Sequence, residues 1–179
     1  FGLGWFASGI SWVHVSIDQF GGMPLIASLT LMLLLCLYLA LFPALACYLA
    51  ARFSINRTLS LWLLSSTWVF TEWLRSWFLT GFPWLSIGYT QIDSPLRVLA
   101  PLIGEIGLTW LMLALSISFY KLLNRQQVKT SLTLVVLSLI AILYASNSHW
   151  VSPTGEVKKV ALVQGNIAQS MKWQPEQEW

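Results

Sequence analysis

Five apolar stretches divide this chain, each bounded by turn-forming or charged residues. A helix needs roughly 20 predominantly apolar residues to cross a bilayer. The pattern predicts spans at about residues 1–17, 25–51, 58–79, 96–120 and 131–145. The first is short and carries Gly2, Gly4, Ser8 and Gly9, small residues at a spacing that suits close helix packing. Asp18-Gln19-Phe20-Gly21-Gly22-Met23-Pro24 then interrupts it, since Gly and Pro both stop helices. The second carries no charge from residue 25 to residue 51 and holds Pro43, which is expected to kink it. Between the third and fourth lies Thr80-Gly81-Phe82-Pro83-Trp84-Leu85-Ser86-Ile87-Gly88-Tyr89, too broken by Gly and Pro to be helical.

The pattern changes after residue 146. Residues 150–156 read as a linker, and Val157-Lys158-Lys159-Val160-Ala161-Leu162-Val163-Gln164 as a short strand ended by the turn signal Gly165-Asn166. A lone strand is not stable in water, so it is expected to open a second domain. The organisation is therefore a transmembrane region at 1–149 followed by a linker and domain start at 150–179.

Composition sharpens this picture. Of 179 residues, 56% are apolar and 9% charged, whereas soluble domains carry about 25% charged residues. Eleven Trp add to the case, because indoles favour the bilayer interface. The net charge of +3 is unevenly spread. Arg52 and Arg57 follow the second stretch, and Lys121, Arg125 and Lys129 lie between the fourth and fifth. The alternate connections carry Asp18, and Asp93 with Arg97. Short loops rich in Lys and Arg stay cytoplasmic, so the aromatic loop and the segment after residue 146 are expected together on the opposite side. The chain begins at Phe1 inside an apolar stretch, without an initiator Met or a basic leader region. With the abrupt stop at Trp179, it is read as an internal piece of a longer protein.

Candidate chemistry is sparse. Cys36 and Cys47 share one predicted helix, about 16 Å apart at ~1.5 Å per residue, too far to bridge when Cα atoms must lie within about 7 Å. They are expected to pack as small apolar groups, and neither is expected to be a nucleophile. His14 and His149 are isolated interfacial residues, and no residue set has metal-ligand spacing. Glu72, Arg75 and Glu105 stand out, since charges within spans cost at least ~2.5 kcal/mol on insertion scales. Glu72 and Arg75 share a helix face and can form a salt bridge that pins the neighbouring loop. The alternative is that they hold a lipid headgroup or shape a cavity wall. The Gly81-Phe82-Pro83-Trp84 loop reads either as an interface anchor or as the lipid-facing lip of an active site.

The motifs Gly9-Ile10-Ser11-Trp12-Val13-His14-Val15-Ser16-Ile17, Phe20-Gly21-Gly22-Met23-Pro24, Thr71-Glu72-Trp73-Leu74-Arg75, Leu79-Thr80-Gly81-Phe82-Pro83-Trp84 and Tyr89-Thr90-Gln91-Ile92-Asp93 follow one another in register. Together with Val163-Gln164-Gly165-Asn166-Ile167 and Gln169-Ser170-Met171-Lys172-Trp173, this series resembles bacterial apolipoprotein N-acyltransferases over essentially the whole chain. The resemblance implies an α-helical integral membrane bundle followed by the truncated start of an αββα nitrilase-like domain. It implies an inner-membrane enzyme with that domain in the periplasm. A Glu–Lys–Cys triad would take an acyl chain from a phospholipid donor as a thioester and pass it to the N-terminal amine of a diacylated apolipoprotein. No cofactor and no nucleic acid partner are implied. No residue here matches the triad, which is expected beyond Trp179, so the chain alone is expected to lack activity. Trp173 matches a Trp beside the family's active site, and Trp84, with Phe82 and Pro83, the loop near its lipid entry. Two other readings are a transporter or channel using Glu72, Arg75 and Glu105 along a pathway, and a membrane-anchored nitrilase relative acting on other amides. A transporter would more often place such charges near the bilayer midplane.

Overall fold

The computed structural model describes residues 1–148, 151, 155 and 158–166. Its elements are helical: α1 (Gly2–Gly9), a short turn α2 (Val13–Val15) running into a wide turn at Ser16–Phe20, α3 (Leu25–Phe53), α4 (Arg57–Trp77), α5 (Ala100–Leu123) and α6 (Val128–Ser146). Single-turn helices at Phe78–Thr80, Ile87–Gln91 and Pro95–Leu99 line the long connection between α4 and α5.

Three helical stretches are long and apolar enough to cross a membrane: Leu25–Phe53, Pro95–Leu123 and Val128–Ser146. Their leucines and isoleucines remain largely exposed, Leu41 and Leu143 among them, as expected when lipid and not water surrounds the helices. The other two apolar stretches differ. The first breaks after Gly9 into short turns. α4 is 21 residues long but carries polar side chains toward its neighbours; Thr67 Oγ1, for instance, donates to the Ala46 carbonyl of α3 at 2.9 Å.

Small residues set the closest approaches. A Cβ on Gly2 would stand 2.7 Å from Cγ of Pro43, and one on Gly9 would collide with Leu85. These two glycines let α1 lie against α3 and against the aromatic loop. Pro43 sits within a continuous α3.

The bundle has two distinguishable ends. The Trp62 indole, near the start of α4, donates to the Gln127 side-chain carbonyl at 3.2 Å, which brings the two basic turns to one end. At the other end Trp12 and Trp84 stack with ring centroids 5.5 Å apart. Ala145, in the last turn of α6, shares a buried cluster there with Leu99, the residue just before α5, and with Leu108 and Leu111. The chain thus leaves α6 at the end that carries the aromatic loop. Beyond it, no strand forms among the described residues, and the segment expected as a strand is irregular from Lys158 to Gln164. A strand is defined by its ladder, and among the described residues this segment has no neighbour to supply one. The turn signal is visible in the left-handed φ of 48° at Asn166.

A buried polar cluster behind the aromatic loop

The connection after α4 turns sharply. Leu79, Thr80 and Gly81 have φ of 48°, 76° and 79°, and Leu85 has φ of 62°. Left-handed conformations are costly for a residue as bulky as leucine and persist only where the surroundings enforce them. Gly81 is required where it stands, because a Cβ there would collide with the Ser76 carbonyl.

Arg75 does the enforcing. Its Nη1 donates to the carbonyls of both Phe82 and Trp84, the latter at 2.7 Å. The Phe82 amide in turn donates to the Arg75 carbonyl at 2.9 Å. Nη1 carries two N–H donors, one for each carbonyl, and leaves Nη2 to face a carboxylate, a division of labour that a single ammonium nitrogen cannot make. Arg75 is 3% exposed, and the Phe6 ring lies beneath it, 5.4 Å from the guanidinium carbon. The favourable geometry of a cation over an aromatic face thus supplements the hydrogen bonds.

Glu72 neutralises this buried cation. Its Oε1 lies 3.7 Å from Arg75 Nη2 and accepts the Trp68 indole N–H at 3.2 Å. Its Oε2 accepts the Ser86 hydroxyl at 2.9 Å. Ser86 also contacts Glu105 Oε1 and lies 3.1 Å from Thr109 Oγ1. Thr109 Oγ1 accepts the Gly88 amide at 2.9 Å. Gly88 is glycine because a Cβ would collide with the Glu105 carbonyl. Buried charges survive when paired and hydrogen-bonded, and this network meets that condition for Glu72 and Arg75.

The cluster therefore ties three elements: α4 through Glu72 and Arg75, the loop through Ser86 and the Phe82 and Trp84 carbonyls, and α5 through Glu105 and Thr109. Phe82 and Trp84 stand edge to face, 5.1 Å apart, and Trp84 is half exposed. Glu72, Arg75 and Glu105, singled out by their charge, are gathered here, with Phe82, Pro83 and Trp84 on the loop they hold. Ser86 and Thr109 were not anticipated, because hydroxyls are too common to signal a role and their partners are distant in sequence. Thr109 does follow Glu105 by one helical turn, the one local hint available. Trp173 and His149 lie outside the described residues. Cys36 is buried and Cys47 exposed on α3, and both are unpaired thiols. His14 Nδ1 contacts the Ser11 carbonyl, apart from the cluster.

Comparison with known proteins places the cluster within a recognised region. The family model described as apolipoprotein N-acyltransferase N-terminal domain matches residues 1–118, which include every member of the cluster. A protein of Shewanella oneidensis named apolipoprotein N-acyltransferase is 49% identical, over 100% of this chain and 35% of its own length. One of the same name from Vibrio cholerae is 50% identical over 99% of this chain and 36% of its own length. Another, from Methylococcus capsulatus, is 40% identical over 98% and 36% respectively. The chain thus spans about a third of the length of the curated relatives it matches.

Proposed function

Since this chain belongs to the apolipoprotein N-acyltransferase family, we propose that it is the membrane part of an enzyme that moves an acyl chain from a phospholipid to the N-terminal amine of a diacylated lipoprotein. A Cys thiolate, activated by a neighbouring base and cation, would attack the donor's ester carbonyl and release a lysophospholipid. The lipoprotein amine would then attack the thioester and return the thiol. The Glu, Lys and Cys of that triad are assigned to a nitrilase-like domain that residues 150–179 begin, and none is assigned to this chain, which alone would be inactive.

In this reading residues 1–149 form the transmembrane domain, with 1–17 and 58–79 as two further membrane segments beside the three apolar ones. The charge of the basic turns supports a reading in which the aromatic-loop end faces the periplasm across a bacterial inner membrane. Phe82, Pro83 and Trp84 form the lipid-facing lip of the reaction chamber, and Trp173 lines it from the nitrilase-like side. The supporting observation is the buried cluster that Ala145 shares with Leu99, which makes the chain leave α6 at the end where Arg75 holds Phe82 and Trp84. Glu72, Arg75 and Glu105 converge on that loop at one end of the bundle, which favours a chamber wall over an ion or solute pathway.

The test is Trp173→Ala in the full-length protein, with acyl transfer to a diacylated lipopeptide as the readout. Transfer is expected to fall at least about tenfold, on the scale of losing positioned contacts near a reacting centre, while membrane expression is unchanged. Full activity in the variant would remove Trp173 from the chamber. Thioester formation by the 179-residue chain alone, given phospholipid, would overturn the assignment of the triad elsewhere.

A further inference from the structure

The Ser86 hydroxyl stands between two carboxyl groups and has a single proton to give. Glu72 Oε2 lies 2.9 Å from Ser86 Oγ, Glu105 Oε1 contacts the same oxygen, and Thr109 Oγ1 lies 3.1 Å from it. A serine oxygen offers one donor and two acceptor sites, whereas an ionised carboxylate only accepts. Two ionised carboxylates therefore cannot both bond to Ser86, since one of them would set lone pair against lone pair. One carboxyl group has to bring a proton of its own.

The surroundings decide which. Glu72 faces donors on both oxygens, the Trp68 indole and Arg75 at Oε1 and Ser86 at Oε2, the company of an ionised carboxylate. Glu105 forms no ion pair among the described residues. Two guanidiniums could have served it. Arg75 is spent on Glu72 and on the carbonyls of Phe82 and Trp84, and Arg97 lines the same cavity as Glu105 without pairing with it. Charge balance points the same way. Arg75 and Glu72 cancel, so a second negative charge on this half-buried network would lack a cation, and such a charge is costly.

With the proton on Glu105, the two hydroxyls are fully used. Glu105 donates to Ser86, Ser86 donates to Glu72, and Thr109 donates to Ser86 while accepting the Gly88 amide at 2.9 Å. Ser86 then gives one proton and receives two, its whole capacity. The donors run in one direction, from α5 through the loop to α4, and hydrogen bonds aligned in this way strengthen one another.

We propose that Glu105 is a positioning residue that works as a neutral carboxylic acid, its own proton fastening α5 to Ser86 of the aromatic loop. The inference goes beyond the acyl-transfer reading, because it concerns how the loop is held and uses no step of the reaction.

The experiment is infrared difference spectroscopy of the full-length protein at neutral pH, in a detergent that has no carbonyl group. The spectrum of Glu105→Gln is subtracted from that of the parent. A protonated carboxyl absorbs as a C=O stretch well separated from the carboxylate bands and shifts in D2O. The parent is expected to show such a band and Glu105→Gln to lose it; a difference spectrum without it would overturn the proposal. Denaturant titration of the same protein in micelles tests the fastening. Gln keeps the shape of the acid and a donor for Ser86, so the Glu105→Gln midpoint should stay close to the parent's. Glu105→Leu has no donor and should lower it. Glu72→Gln, which takes the negative charge from beside Arg75, should lower it well below that of Glu105→Gln. Equal losses for Glu105→Gln and Glu72→Gln would put a negative charge on Glu105, and equal midpoints for Glu105→Gln and Glu105→Leu would show that its proton fastens nothing. Either result would sink the assignment.

Discussion

The two ends of α5 bury polar groups by opposite rules. At the aromatic-loop end, Thr109 is fully buried, accepts the Gly88 amide and meets Ser86. At the basic-turn end, Ser118 and Lys121 are equally buried, with Ser131 of α6, yet Ser118 Oγ, Lys121 Nζ and Ser131 Oγ have no hydrogen-bond partner among the described residues. One helix thus carries a satisfied network and an unsatisfied one. A satisfied network fixes a single geometry, because each displaced member leaves another unpaired. An unsatisfied one gives no such specification and carries a desolvation cost. The aromatic-loop end is accordingly the end built for position. At the basic-turn end the sign of the charge is what the fold uses, through the attraction of a cation to a helix C-terminus and through sidedness.

The sharpest way to break this contrast is Arg75→Ala. It would leave the Glu72 carboxylate buried without its cation and release the Phe82 and Trp84 carbonyls. Removing one partner of a buried pair costs about 3–5 kcal/mol, to be read from denaturant titration of the full-length protein in micelles. Arg75→Lys should recover less than half of that loss, since one ammonium nitrogen cannot both hold the two carbonyls and face Glu72, as Nη1 and Nη2 do separately. A loss below about 1 kcal/mol for Arg75→Ala, the scale of an exposed pair, would mean that the cluster positions nothing.

The helical bundle and the basic turns could be read in the sequence because both signals are local. An uncharged run from residue 25 to residue 51 is a helix whatever surrounds it, and α3 spans Leu25–Phe53. The charged pair was local as well, Glu72 and Arg75 being one turn apart. Ser86 and Thr109 were not legible, because what singles them out is a meeting of segments far apart in the chain. Neither was the breaking of the first stretch after Gly9. Hydropathy alone carries residues 1–17 as one segment, whereas the structure turns at residues 10–12 and again at Ser16–Phe20. The strand expected from residue 157 is not seen among the described residues 158–164, for the complementary reason. Alternation and β-branching propose a strand, and only a partner makes one.

Gly88→Ala sharpens the same contrast at the next scale down. The added Cβ meets the Glu105 carbonyl, a backbone atom in α5 that has no rotamer to escape into. The loop must move off the helix, which separates Ser86 from Thr109. Overpacking of this kind costs about 1–3 kcal/mol. Gly4→Ala is the matched control, because no atom lies within 4 Å of a Cβ there. Equal stability of the two variants would show that the loop is not seated tightly on α5.

The smallest effect is expected at the opposite end, and its sign is what matters. Lys121→Met removes an ammonium that is 0% exposed and lacks a hydrogen bond, and replaces it with an apolar chain of similar length. Exchanging a buried charge for a well-packed apolar group is often neutral or stabilising. Stability is therefore expected to stay within about 1 kcal/mol of the parent or to rise, less any lost attraction to the α5 C-terminus, about 0.3–1 kcal/mol. The contrast with Arg75 does not come from burial, since both side chains are almost wholly enclosed. It comes from what each would leave behind: Arg75 abandons a carboxylate and two carbonyls, and Lys121 abandons none among the described residues. Loss of about 3 kcal/mol or more on Lys121→Met, the scale of a broken buried pair, would reveal a partner for Nζ and erase the difference between the two ends.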